Sequence, residues 1–168
     1  MIAMGILVVL LSLSVTVFGR FVNNERREIA ERSLQEDTRF ALELFIREAR
    51  TGYASTYVNA DDGGVVFQNQ NKQCVKYHLS TQNTWERSNT PLSGTCDNST
   101  KFSNFDALTS STTMLTRLDF KMPAGVTING HMTRQGFVSV VIEAESKTSN
   151  IPPLQLETTV TSRQVQPL

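Results

Sequence analysis

The sequence predicts an α+β protein in which one long N-terminal helix packs on an antiparallel β-sheet domain. Three observations predict it. Residues 1–19 carry no charged side chain and pass without a break into a charged helix former. Between Arg20 and Thr51 there is neither Pro nor Gly, so nothing in that stretch interrupts a helix. From residue 53 onward the apolar pattern changes from the helical period to the period of two that strands show.

The elements can be justified in chain order. Residues 1–20 read as the membrane-spanning half of the helix, since about 20 mostly apolar residues cross a bilayer core. A signal peptide that is removed ends in a small-residue cleavage site followed by loop-like sequence. Here the apolar run enters a helix former directly, so the segment is expected to stay attached. Residues 21–52 read as the amphipathic half of the same helix. Leu34, Ala41, Phe45 and Ala49 recur at spacings of seven, four and four, and Leu42 and Ile46 widen the stripe. Glu36, Arg39, Glu43, Arg47 and Arg50 recur on the other side, a solvated face. The apolar stripe has to bury against something, which residues 53–168 are expected to supply.

That region reads as strands separated by turns. Residues 75–79 and 117–122 alternate, with Leu118, Phe120 and Met122 expected to point inward. Residues 136–142 are nearly all apolar and suit a central strand buried on both faces. Residues 154–161 largely alternate, and Pro152-Pro153 blocks helix just before them. Turn signals lie at Asp61-Asp62-Gly63-Gly64, residues 68–73, residues 122–125 and Asn129-Gly130. No helical pattern interleaves these strands, which favours antiparallel pairing. Residues 88–112, rich in Ser, Thr and Asn but interrupted by Phe102, Phe105 and Leu108, read as a long surface excursion.

Composition excludes more than it identifies. Sixteen basic and sixteen acidic residues cancel, so no long-range field favours nucleic acid. Cys74 and Cys96 would be bridged in an oxidising compartment, closing a loop that contributes on the order of 3 kcal/mol. Two unpaired thiols are the other reading, and a metal site lacks the further Cys or His ligands it needs. His78 falls on the polar side of an alternating strand and reads as a surface histidine; His131 stands in no motif. No Gly-x-Ser-x-Gly elbow supports a hydrolase. Asn59, Asp61 and Asp62 offer oxygen ligands for calcium, but a Gly-assisted turn is the favoured reading. Asn98-Ser99-Thr100 matches a glycosylation sequon.

At this point the residues resemble a family. The run Ile2-Ala3-Met4-Gly5-Ile6-Leu7-Val8-Val9-Leu10-Leu11, leading straight into a long helix, resembles the N-terminus of type IV pilins and type II secretion pseudopilins. The run Leu34-Gln35-Glu36 followed by Arg39-Phe40-Ala41-Leu42 is similar to the helix end of minor pilins and minor pseudopilins. Residues 74–77 and 154–163 look like strands of that group. The family begins with a basic leader, a Gly cleaved by a prepilin peptidase and a Glu soon after. Met1 aligns just past that Glu, so a leader is expected upstream, where its basic residues would restore the positive-inside pattern.

The resemblance implies a minor fibre subunit that assembles through its apolar helix, is processed and methylated, uses no cofactor and catalyses nothing. It implies a single-pass protein of the inner membrane with its C-terminal domain outside the cytoplasm. After assembly the chain would stand in an extracellular or periplasmic fibre. Its partners would be other pilin or pseudopilin subunits and the inner-membrane assembly machinery. Gly5, Ser12, Ser14 and Thr16 would let helices approach closely in the membrane. A signal-anchored binding module that does not polymerise is the alternative, and a membrane-tethered hydrolase a more distant one.

Overall fold

The computed structural model describes residues 2–53, 57–91, 95–97, 99–122, 127–128, 131–132, 137–149 and 151–162. For residues 2–10, 127–128 and 131–132 it describes the backbone alone. Helix α1 (Ile2–Thr51) is a single helix of 50 residues, about 75 Å long at 1.5 Å per residue. Its burial follows the predicted stripe. Leu34, Ala41, Phe45 and Ala49 are buried, and Leu42 and Ile46 are half-buried against the same core.

The stripe has one member that hydrophobicity does not reveal. Thr38 is also buried, and its hydroxyl donates to the Leu34 carbonyl at 2.7 Å. A threonine that bonds back to its own helix brings no unpaired polar group into the core.

Ten strands follow among the described residues: β1 (Val58–Asn59), β2 (Val65–Gln68), β3 (Gln73–Leu79), β4 (Trp85–Pro91), β5 (Asp106–Ala107), β6 (Thr113–Lys121), β7 (Thr127–Ile128), β8 (His131–Met132), β9 (Phe137–Ser146) and β10 (Leu154–Thr161). They form a five-stranded sheet in the order β1-β2-β3-β4-β5, a three-stranded sheet β10-β9-β6 and a β7-β8 ladder, with antiparallel pairing throughout. The fold is therefore α+β with the helix laid on sheet. The Leu115 N–H donates to Asn83 O at 2.9 Å, tying β6 to the β3–β4 turn, and the Leu108 N–H donates to Trp85 O at 2.8 Å, extending the β4–β5 ladder.

The core gathers where the helix crosses both sheets. The Phe45 ring lies 5.2 Å from Tyr77, 5.3 Å from Phe120, 6.1 Å from Trp85 and 6.4 Å from Phe67. Leu118 and Phe120 point inward as expected, and Met122 lies just past β6, half-buried on the core. The register of β6 shifts between Leu115 and Arg117, so Thr116 is the extra residue of a bulge.

Two expectations change, and a third lies outside the described residues. β9 is central in its sheet, but Val138, Val140, Ile142 and Ala144 are buried while the residues between them are only half-covered. One face meets the core and the other is only half-covered, so apolar content overstated its burial. The excursion over residues 88–112 is shorter than read, because residues 88–91 belong to β4 and residues 106–107 to β5. The turn signals at residues 123–125 and Asn129-Gly130 lie outside the described residues. Gly63 does turn the chain at φ 78°, and a Cβ at Gly64 would sit 2.3 Å from the Tyr77 carbonyl oxygen. The turn therefore needs both glycines, one for backbone angle and one for space.

Candidate assembly surface

Helix α1 changes character along its length. From Leu34 onward its stripe is covered by the sheets, whereas in residues 11–33 only Val22 and Ala30 are even partly covered. Leu11, Leu13, Val15, Val17, Phe18 and Phe21 are each more than half exposed, with Val15 at 71% and Phe21 at 63%. Leu11, Val15 and Phe18 stand four and three apart; Leu13, Val17 and Phe21 stand four and four apart. Between these rows lies only a narrow strip of small uncharged residues, Ser12, Thr16 and Gly19, unlike the charged face further along. So large an exposed apolar surface is unusual for a helix surrounded by water. Thr16 fits such a medium, since its hydroxyl donates to the Ser12 carbonyl at 2.8 Å and needs no water.

Charge returns abruptly at Arg20 and continues through Glu25, Arg26 and Arg27 to the Glu28–Arg32 pair, 3.9 Å apart and well exposed. That pair contributes only about 0.3–0.5 kcal/mol. Among the described residues no helix is long and apolar enough to cross a membrane. The span read from residues 1–20 rests in half on side chains outside the description.

From Leu34 onward the helix is tied to the sheets by polar contacts as well as rings. Glu48 faces the five-stranded sheet, where Arg87 on β4 donates from Nη2 to Oε1 at 2.7 Å and from Nε to Oε2 at 3.1 Å. Tyr77 on β3 donates its hydroxyl to Oε2 at 2.5 Å. Bonding to Glu48 raises the Arg87 guanidinium above its ordinary value, and burial, then the Glu48 carboxylate, raises the Tyr77 phenol. Both effects favour the charged pair with a neutral phenol beside it. Sequence reading placed Glu48 nowhere, and its position on the flank of the stripe, between Phe45 and Ala49, was the available signal.

Three further ties complete the dock. Asp37 accepts hydroxyl bonds from Ser110 and, at 2.8 Å, from Thr113. The Tyr57 hydroxyl donates to the Ala49 carbonyl, and burial pushes its pKa up to about 12. Ser162 donates to the Gly52 carbonyl at 2.6 Å, fastening the chain just past β10 to the helix end.

The remaining predicted residues lie away from this surface. Cys74 and Cys96 form a disulfide with Cα atoms 5.5 Å apart, buried in a small second cluster with Ala60, Val66 and Phe102. His78 is not a free surface residue. Its ring meets the edge of Phe105 at 4.5 Å, Nε2 lies 3.7 Å from Glu86, and buried Nδ1 has no partner. Burial holds its pKa below the ordinary value, and the nearby Asp62 and Glu86 carboxylates only partly counter this. No serine–histidine bond at His78 occurs among the described residues, and the His131 side chain lies outside them.

Asp62 is 2.7 Å from Lys76 Nζ and accepts the Gly64 N–H at 3.3 Å, so it closes the turn. Burial alone would raise its carboxyl, but Lys76 more than offsets that and leaves it below the usual value. Among the described residues no cluster of His, Cys, Asp or Glu is arranged to hold a metal ion, Asp61 and Asp62 included. No family model, characterised protein or solved structure matches the chain.

Proposed function

We propose that this chain is a structural minor subunit of a type IV pilus or a type II secretion pseudopilus, assembled through its apolar N-terminal helix. The observation that carries the reading is the shaft of residues 11–19, uncharged, mostly apolar, exposed, and continuous with a helix docked on its own domain. Before assembly that shaft sits in the inner membrane with lipid around it. Afterwards it sits against neighbouring helices, so burial of the same side chains is exchanged rather than created. At about 25 cal/mol per Å² of apolar surface, leaving lipid for water is strongly unfavourable, while leaving lipid for a helix bundle is nearly neutral. The β domain forms the outer surface, and the ring ties at Phe45 and Glu48 transmit its position to the shaft. The subunit catalyses nothing and binds no cofactor.

Two measurements test this reading. The codons upstream of Met1 should encode a cleavable Gly junction and a Glu, and the extended chain should be processed by a prepilin peptidase and co-purify with other pilins. Deleting the gene should reduce fibre formation or secretion, while replacing His78 and His131 together should leave that function unchanged. Upstream codons without the Gly and Glu would replace this reading with a signal-anchored binding module.

A further inference from the structure

The two larger sheets present four edges, and three of them are blunted. β1 and β5 are two-residue stubs. β6 carries a bulge at Thr116, exposes Arg117 and Lys121, and is bonded near its start to the β3–β4 turn through Leu115 and Asn83 at 2.9 Å. Short strands, bulges and basic side chains are the usual guards against strand addition.

β10 is neither short nor bulged, and its one charged side chain is Glu157. It runs eight residues in unshifted register with β9, from Leu154 opposite Ala144 to Thr161 opposite Phe137, and contains no Pro, Lys or Arg. In an antiparallel pair every second residue turns its N–H and C=O away from its neighbour. For β10 those outward groups have no backbone partner among the described residues.

The side chains narrow what would fit there. On the core side Leu154, Leu156 and Thr158 are only half-buried, although Leu154 and Leu156 belong to the core row that ends in buried Val160. Helix α1 packs against β10, yet part of Leu154 and Leu156 remains exposed along this edge. On the other side Gln155, Glu157, Thr159 and Thr161 are exposed, and Glu157 is the strand's one charge.

We infer that β10 is a docking edge for one extended segment of a neighbouring subunit. Alternate apolar side chains of that segment continue the Leu154–Leu156 row, and a basic side chain faces Glu157. Main-chain bonds would supply affinity and the alternating side chains specificity. The identity of the neighbour rests on the assembly reading; the edge itself does not.

The test uses the full chain in membranes of cells that make it, with a benzophenone amino acid at Thr159 or, as a control, at Lys121 on the guarded edge. Thr159 should give one adduct with another subunit, mapped to an extended segment bearing Lys or Arg, and Lys121 should not. Glu157→Arg should lower the adduct yield about fivefold or more, since opposed charges become like charges across the strands. Replacing the mapped basic residue by Glu should then restore it. The unfolding midpoint of Glu157→Arg, read by Trp85 fluorescence, should match wild type, because residue 157 is exposed.

An adduct on β10 of a second copy, an adduct outside any extended segment, a yield indifferent to Glu157→Arg, or no adduct at all would overturn the inference. The two proposals fail separately. If the chain joins fibres but the yield ignores the charge swap, the docking edge is wrong and assembly stands. If the chain is missing from fibres but the adduct obeys the swap, assembly is wrong and the docking edge stands.

Discussion

Replacing Phe45 by Ala removes the side chain on which both sheets and the helix converge. The ring is fully buried and has four aromatic neighbours between 5.2 and 6.4 Å away, on β2, β3, β4 and β6. Neighbours held by four strands cannot collapse into the space, so the cavity persists. Phe→Ala changes cost about 3–5 kcal/mol, and incomplete relaxation places this one near the top, at about 4–5 kcal/mol. For a chain of this length that lowers Tm by roughly 10–15 °C. The assay is built in, because Trp85 is the only tryptophan, is buried, and lies 6.1 Å from the Phe45 ring. Its fluorescence through a urea titration of the chain in detergent gives the stability of wild type and variant. Phe40 is the control, since it lies on the same helix at 62% exposure and its Ala variant should stay within about 0.5 kcal/mol. A loss at Phe45 below about 1 kcal/mol, or equal losses at Phe40 and Phe45, would show that the helix does not dock as described.

Other perturbations probe separate links. Glu48→Gln should cost about 1–3 kcal/mol by leaving Arg87 short of its charge partner, and adding Arg87→Met should recover part of it in a double-mutant cycle. Replacing Cys74 and Cys96 together by Ala should cost about 3 kcal/mol for a loop of this length, the two positions being 22 apart in sequence; an unchanged urea midpoint would refute the bridge. Because burial lowers the His78 pKa, the unfolded chain binds the proton first as pH falls, so stability should decline from about pH 6.5 downward until the folded group also titrates. Asp62, whose folded pKa is also lowered, adds a second decline only below about pH 4. His78→Phe should flatten the upper window and leave the lower one; a persisting slope above pH 5 would place it on another group.

The helix was legible because its signals are local. An unbroken run without Pro or Gly and a stripe at Leu34, Ala41, Phe45 and Ala49 depend only on the 3.6-residue period, and both ends of α1 fall within two residues of the reading. β3, β6, β9 and β10 were legible for the corresponding reason of period two. β2 and β4 were not named. β2 is four residues of mostly apolar sequence, and β4 reads Trp-Glu-Arg-Ser-Asn-Thr-Pro, whose polarity hides a strand anchored by one buried Trp85. The docking ties at Glu48 and Asp37 were invisible because each joins residues tens of positions apart, and no local pattern marks a carboxylate that will meet Arg87 or Thr113. His78 was misjudged for the same reason. Its polar-side position was right, but Phe105 returns across the sheet to cover it.

The central claim is that the exposed apolar shaft meets other helices. It is tested most directly by a photo-reactive residue at Val17 in cells that produce the fibre, with the adducts mapped by mass spectrometry. Val17 is 66% exposed on the shaft and far from the chain's own sheets. The account predicts adducts to the apolar N-terminal helix of another subunit in the sheared fibre fraction. Labelled chain found only in the membrane fraction, with adducts to lipid alone while fibres assemble normally, would contradict it.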